Sequence, residues 1–386
     1  MKILIASHGY PSSVSRLAGS FVHNQVRFLQ AHCDIRCVSP TPWFPLPGFG
    51  RWSAYGGTSR REVMDGIDVA RPRYVTLPRR VLLAHVWRSY LRALIRAAGE
   101  GGEDVIHAHY AYPDGLAAVH YARRRGGIPV VITVHGHDIK DLAAGREDWR
   151  RVVTQALEGA TTVIAVSEEL AQLVRQLGIA ADKVRVIHNG VDGEVFKPTG
   201  SETGRDGKRR LLYVGRFDVA KGLKVLLAAA ARLRAGGRDL QLTFVGGGAA
   251  GTAEPFQREA HRLGVADIAD FIDEVPWSEI PAVMSAADLL VLPSFSEGLP
   301  LVLVEAMACG LPLVATRCGG PIEVVEEMVG RLVEVGDEVD LERGIAYVLD
   351  HYDSYDRDAI RRRALERFDY RRIAERIHSV YENAMA

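Results

Sequence analysis

The chain has 386 residues, 47% hydrophobic and 25% charged, with 48 Lys and Arg balancing 48 Asp and Glu. This describes an ordinary soluble globular protein long enough for two domains, and the balance gives no ground to expect a nucleic-acid partner. The apolar start "MKILIAS" is too short for a signal peptide, "LLVLP" and "LKVLLAAAA" are too short to span a membrane, and Cys33, Cys37, Cys309 and Cys318 lack metal-ligand or redox spacing, so a cytoplasmic protein with structural thiols is expected.

In chain order, short β-branched runs alternate with amphipathic ones. "KILIAS", "DIRCVSP", "VIHAH", "VVITVHG", "TVIAVS" and "VRVIHNG" read as strands, with helical patterns such as "GSFVHNQVRFLQAH" and "PDGLAAVHYARRRGG" between them. Continuous apolar strands separated by amphipathic helices indicate a parallel sheet covered on both faces. The rhythm pauses at the polar stretch "KPTGSETGRDGKRR", then resumes with "LLYVGR", "LQLTFVGGG", "ADFIDEV", "DLLVLPS", "LPLVAT" and "GRLVEV". The expectation is an α/β chain of two doubly wound parallel-sheet domains: residues 1–196, a linker at 197–209, and residues 210–369. Ligands of such sheets bind outside the carboxyl ends of the strands, so two facing domains predict a ligand in the cleft between them.

The zero net charge hides an asymmetry. Residues 1–190 carry 24 Lys and Arg against 16 Asp and Glu, and ten arginines but only three acidic residues fall between Arg51 and Arg96. Within "LPRRVLLAHVWRSYLRALIRAA", the apolar Val81, Leu82, Val86, Leu91, Leu94 and Ile95 leave Arg88, Arg92 and Arg96 on one stripe. Such a helix over 81–98 suits an anionic membrane surface or acceptor. It equally suits a solvated face with snorkelling arginines.

Three loops follow strands in the first half. "SHGYPSSVSRLAGSFV" places Ser20 as an N-cap with Gly19 just before the helix. "HAHYAYPDG" carries His107 and His109, and "TVHGHDIKD" carries His135, Gly136, His137 and Asp138. His109 and Asp138 are candidates for ligand contacts in the cleft, although a histidine at a strand end is more often simply a satisfied polar residue. The His-x-His spacing invites a metal, but no carboxylate or cysteine arrangement supports one.

In the second half, "LLYVGRFDVAKGL" sets Arg216 after a strand and Lys221 five residues on, a planar fork and a compact charge that together neutralise a diphosphate without a metal. "SFSEGLPLVLVEAMACG" sets Glu297 and Gly298 in a loop, Pro300 before a helix over about Leu301 to Ala308, and Glu305 in that helix. The helix's unpaired amides favour polar oxygens, and the two carboxylates suit hydroxyls at two places on one ligand. A surface pair for Arg216 and Lys221, an ion pair for Glu305 and a cap for Glu297 are the plainer alternatives. "GGGAAG" at 246–251 is a lone dinucleotide-like match outside the first βα turn, and "DRD" at Asp356 to Asp358 reads as a surface or capping element. There is no Walker loop and no Gly-x-Ser-x-Gly elbow.

Together "GRFDVAKGL", "FVGGG", "AADLLVLPSFSEGLPLVLVEAMACGLPLVATRCGG", "TVHGHD" and "VIHNGVD" resemble glycosyltransferase family 4, the retaining nucleotide-sugar-dependent glycosyltransferases, over nearly the whole chain. The resemblance implies a GT-B fold of two Rossmann-like domains facing a central cleft, acceptor on the first and donor on the second. It implies that the C-terminal helix, here 370–386, returns to the N-terminal domain. Carried onto this sequence, Arg216 and Lys221 grip the diphosphate, and Glu305 binds the ribose hydroxyls. Glu297 and the amides of Gly298, Leu299 and Leu301 around Pro300 hold the donor sugar. His135 lies near the anomeric carbon, and Gly19 approaches the phosphates. Many members carry a Gly-Gly pair where this chain has "LAGSFV", so Gly19 alone supports that approach.

The implied activity is metal-independent and needs no cofactor: a sugar passes with retention from a nucleoside-diphosphate sugar to a hydroxyl of a glycan or lipid-linked acceptor, as in bacterial envelope or exopolysaccharide assembly. Rival readings are a nucleotide-sugar epimerase, a glycan phosphorylase, a dehydrogenase resting on "GGGAAG" alone, and a non-catalytic sugar-nucleotide-binding partner subunit. A phosphorylase needs a pyridoxal-bearing lysine in a chain poor in lysine.

Overall fold

Runs of three to six residues, many rich in Val, Ile and Leu, become strands here, and Val105–His109, Val130–Val134, Leu289–Leu292 and Leu313–Thr316 are buried along their whole length. The computed structural model describes residues 1–15, 18–44, 55–77, 81–99, 101–200, 207–246, 252–273 and 275–386. Within them the chain forms two units, Met1–Asn189 with Tyr370–Ala386, and Gly190–Asp369.

The strands of the first unit are β1 (Lys2–Ala6), β2 (Asp34–Val38), β3 (Thr41–Trp43), β4 (Arg61–Met64), β5 (Ile67–Ala70), β6 (Arg73–Val75), β7 (Val105–His109), β8 (Val130–Val134), β9 (Thr162–Ala165) and β10 (Val184–Val186). Eight of them form a sheet in the order β10-β9-β8-β7-β1-β2-β5-β4, while β3 and β6 pair separately. All pairs in the sheet are parallel except β4 with β5, an antiparallel edge hairpin turned at Asp65 and Gly66. That hairpin falls in the arginine-rich stretch, where charge had masked its short alternation. The order reverses between β1 and β7, because β1 takes β2 on one side and β7 on the other.

The second unit holds β11 (Arg209–Val214), β12 (Leu240–Val245), β13 (Ala269–Ile272), β14 (Leu289–Leu292), β15 (Leu313–Thr316) and β16 (Gly330–Val333). They are parallel throughout, in the order β13-β12-β11-β14-β15-β16. This is the dinucleotide-fold order 3-2-1-4-5-6, with its reversal between β11 and β14.

The helix Tyr370–Met385 belongs to the first unit. Ile373, Ile377 and Tyr381 join the core that holds Val22 and Val26 of the helix Ser20–Leu29. Tyr370 stacks on Phe28 at 5.4 Å, and the Tyr381 hydroxyl lies 2.6 Å from Nδ1 of buried His107.

The expected boundary at 196 is corrected to 189/190. Residues from Gly190 onward pack on the second unit because Val191 bridges to Asp369, Phe196 buries its ring against Trp277, and Thr199 N–H donates to Ser285 Oγ at 3.1 Å. Arg361 fixes the segment further by donating to the carbonyls of Gly193 and Phe196. Part of the expected linker, 201–206, lies outside the described residues, as do 78–80 of the basic stretch and 247–251 of "GGGAAG". Ser20 is also corrected: it is the first helical residue, and Gly19 takes the cap position at φ +70°. A Cβ on Gly19 would meet the Gly9 carbonyl oxygen at 2.0 Å, so no side-chain cap fits there. The basic helix spans Val86–Ala98 behind a single turn at Leu83–His85. Asp356 caps the helix Arg357–Phe368, accepting from the amides of Asp358 and Ala359.

Gly222 governs the path from β11 into its helix, Leu223–Ala235. It stands at φ +69°, and a Cβ there would lie 2.0 Å from the Pro293 carbonyl oxygen after β14. Gly222→Ala is expected to cost at least about 1–3 kcal/mol from the left-handed backbone alone. Thermal unfolding checks this, and an unchanged midpoint would contradict the close approach.

Candidate active site

In the second unit, the loops after β11, β14 and β15 are tied to one another at the strand reversal. Phe295 N–H donates to the Ala220 carbonyl at 2.9 Å, Glu297 N–H to the Cys318 carbonyl at 3.1 Å, and Thr316 Oγ1 to the Ser294 carbonyl at 2.5 Å. Asp218 caps the short turn Val219–Lys221 by accepting from Ala220 N–H at 2.9 Å. This aims the Lys221 ammonium across the reversal at Glu297, with Nζ and Oε1 2.7 Å apart. Ser294 Oγ donates to the same carboxylate oxygen at 2.6 Å. The two charged side chains keep only 18% and 12% of their surface, so both are held in fixed positions at the edge of solvent.

Arg216 differs. Its side chain is 73% exposed and lies 3.7 Å from Asp218, a loose surface pairing that leaves the guanidinium fork accessible. Tyr213 Oη donates to the Arg216 carbonyl at 2.8 Å, fixing its backbone rather than its charge.

The helix Leu301–Ala308 begins directly after buried Pro300. Gly298, Leu299 and Pro300 form the loop leading into it, and its first amides have no partner within the helix. Glu305 is half-buried on this helix, and among the described residues no hydrogen bond or ion pair engages its carboxyl group. Burial pushes that group up to about 7. A carboxyl left unsatisfied at this depth is costly without a ligand to satisfy it, which distinguishes it from Glu297.

In the first unit, β7 and the loops after β1, β7 and β8 carry the aromatic and imidazole groups. His107 is wholly buried between Tyr381 and Thr133, whose Oγ1 lies 2.7 Å from its Nε2. It serves the core. His109 is also wholly buried, stacked on His107 at 4.4 Å, with Nδ1 3.1 Å from Nε2 of His135. His109 is therefore corrected from a candidate ligand contact to a residue that holds His135. The His135 ring is enclosed by Phe21 at 4.7 Å and Tyr110 at 4.9 Å, and its buried Nδ1 has no partner. Burial lowers His135 to about 3, so it is neutral at physiological pH. Asp138 is corrected as well. It is 1% exposed and accepts from the amides of Ala111, His135 and Gly136, which makes it a brace for the loop.

One group escaped the sequence reading. His8, directly after β1, donates its backbone N–H to Asp114 Oδ1 at 2.6 Å and sets Nδ1 2.5 Å from Asp114 Oδ2. Tyr90 Oη donates to the same carboxylate at 2.5 Å. The only signal in the sequence was position: His8 follows a strand, and its partners stand 82 and 106 residues away.

Residues 188–367 match the family model described as glycosyl transferases group 1, and residues 18–195 match that of glycosyltransferase family 4. A protein of Bacillus subtilis named as a teichuronic acid biosynthesis glycosyltransferase, TuaC, is 30% identical over 335 residues, spanning 83% of this chain and 82% of its own. The D-inositol 3-phosphate glycosyltransferase of Corynebacterium diphtheriae is 34% identical over 307 residues, spanning 73% and 71%. Among solved structures, sucrose-phosphate synthase from Thermosynechococcus elongatus superposes with a TM-score of 0.81 at 24% identity, over 99% of this chain and 98% of its own. Anabaena HepE in complex with UDP-glucose does so at 0.74 and 21%, over 99% and 100%. With two Rossmann-like units and this set of relatives, the chain belongs to glycosyltransferase family 4 and has the GT-B fold.

Proposed function

We propose that this glycosyltransferase is retaining and metal-independent, and that it moves a sugar from a nucleoside-diphosphate sugar to a hydroxyl of a glycan or lipid-linked acceptor in envelope or exopolysaccharide assembly. The observation that carries the donor assignment is the Lys221–Glu297 pair at the β11/β14 reversal, beside a helix whose Glu305 carboxyl has no protein partner among the described residues. Arg216 and Lys221 take the diphosphate, Glu305 the ribose hydroxyls, and Glu297 with the Gly298–Leu301 backbone the sugar. His135 is assigned to the reacting sugar and Gly19 to backbone approach.

The chemistry is stabilisation of a leaving group. As the glycosidic bond to phosphate breaks, its electron pair stays on the diphosphate. Cations and helix amides already oriented for that charge lower the barrier without a metal. Salt-bridging to Glu297 keeps the Lys221 ammonium in place, so little ordering is left for the transition state. The teichuronic acid name of the Bacillus relative, and the neighbour solved with UDP and with UDP-glucose, support an envelope polysaccharide role and a uridine nucleotide donor.

Among the described residues no helix is long and apolar enough to cross a membrane. A lipid-linked acceptor is supported instead by the helix Val86–Ala98. Its Arg88, Arg92 and Arg96 are exposed and form no ion pair with a carboxylate among the described residues, and Val81 and Leu82 just before it are 52% and 62% exposed. Arg36 donates to the carbonyls of Ala97 and Ala98 and closes the helix's far end.

Thermal unfolding with UDP, GDP and ADP, each with chelator, tests the donor assignment. One of them at a hundredfold excess over its dissociation constant should stabilise the protein by about 2.7 kcal/mol. Glu305→Ala should abolish that shift, and a shift that needs a divalent metal or appears only with NAD would overturn the reading. The pH dependence follows from Glu305. Ribose hydroxyls donate to its carboxylate form, so affinity for the nucleotide sugar should weaken as pH falls through about 7. Between pH 8 and pH 6 the loss should approach about tenfold by calorimetry, and Glu305→Gln should flatten it. Finally, replacing Arg88, Arg92 and Arg96 with Ser should remove sedimentation with phosphatidylglycerol vesicles; unchanged sedimentation would refute the membrane contact.

A further inference from the structure

The first unit carries a second built site, at its own strand reversal. Asp114 is fully buried, and its carboxylate takes three hydrogen bonds, from His8 N–H, from the His8 ring and from Tyr90 Oη. Tethering β1 to the segment after β7 needs only the first of these. The second fixes the ring itself. With Nδ1–H donating to Asp114, the imidazole is locked in the tautomer whose Nε2 carries a bare lone pair.

That nitrogen has no partner among the described residues, and the ring is 36% exposed. Tyr110 supplies an independent sign of a working site. It stands at φ +76°, a conformation that costs a bulky residue energy and that clusters at ligand sites, and its ring lies 4.8 Å from that of His8. Both residues follow the carboxyl ends of β1 and β7, where doubly wound sheets bind ligands. Burial alone would lower the His8 imidazole, but the Asp114 carboxylate outweighs it and the net direction is up, as for a ring kept basic.

We propose that His8 Nε2 accepts a hydrogen bond from a hydroxyl of the acceptor, a sugar or polyol, with Asp114 and Tyr90 as positioning residues that hold the ring. The assignment of this ligand as the acceptor rests on the glycosyl-transfer reading above. A site that accepts a hydrogen bond from a hydroxyl discriminates against an analogue lacking that hydroxyl, because the His8 Nε2 lone pair is then left without a partner where the ligand has displaced water.

The test uses full-length protein labelled with 15N-histidine and long-range proton–nitrogen spectra at pH 8.5, with His8→Phe identifying the His8 signals. The wild type should show the Nδ1–H tautomer at His8, and Asp114→Asn should lose that single-tautomer signature. Methyl α-glucoside, myo-inositol and glycerol are added in turn with UDP present. At least one should move the His8 Nε2 signal while leaving that of exposed His137 in place. An Nε2–H tautomer, or an Nε2 signal that none of the three moves, overturns the proposal. Thermal stabilisation by the nucleoside diphosphates is measured on the same wild-type and His8→Phe samples. If they stabilise neither protein, the donor reading fails, while the nitrogen signals still decide whether His8 takes a hydroxyl.

Discussion

Where a parallel sheet reverses its strand order, the two central strands send their following loops to opposite faces, and a crevice opens between them that the sheet's own side chains cannot fill. Each unit of this protein has one such reversal, β1/β7 and β11/β14. The chemically capable groups stand there: His8 and Tyr110 after β1 and β7, with His135 beside them after β8, and Arg216, Lys221 and Glu297 after β11 and β14. The crevices exist because β-α-β connections are right-handed and cover both faces, which is a property of the backbone and not of the ligand.

Buried and half-buried carboxylates do different work according to what meets them. Asp138 receives three backbone amides and braces a turn. Glu297 receives an ammonium and a hydroxyl and is a fixed charge. Asp114 receives an imidazole, a phenol and an amide and directs a ring. Glu305 has no such partner among the described residues, and burial accordingly drives it toward the neutral form. The residue type is nearly constant across these four; the partners decide the role.

The histidines show the same dependence. His107 and His109 occupy alternate positions of β7 and His135 follows β8, all looking alike as polar residues at strand ends. Their rings form one stacked series, with centroids 4.4 and 5.3 Å apart, and only the innermost is tied to the C-terminal helix, through Tyr381. A histidine at a strand end can therefore be entirely structural.

The features legible in the amino-acid order are local ones. Apolar runs of strand length, the glycines at tight turns, the helix Leu301–Ala308 after Pro300 and the capping role of Asp356 were legible because period, turn chemistry and caps depend on neighbours within a few residues. The family was legible for a related reason, since its motifs are contiguous. The β4–β5 hairpin was not, because charged residues on an edge hide a short alternation. The tertiary structure alone decided that 190–196 pack with the second unit, that His109 and Asp138 turn inward, that Glu305 lacks a protein partner and that His8 meets Asp114 across 106 residues. Burial and partnership sum contributions from segments remote in sequence, and a single chain read in order carries no record of which segments those are.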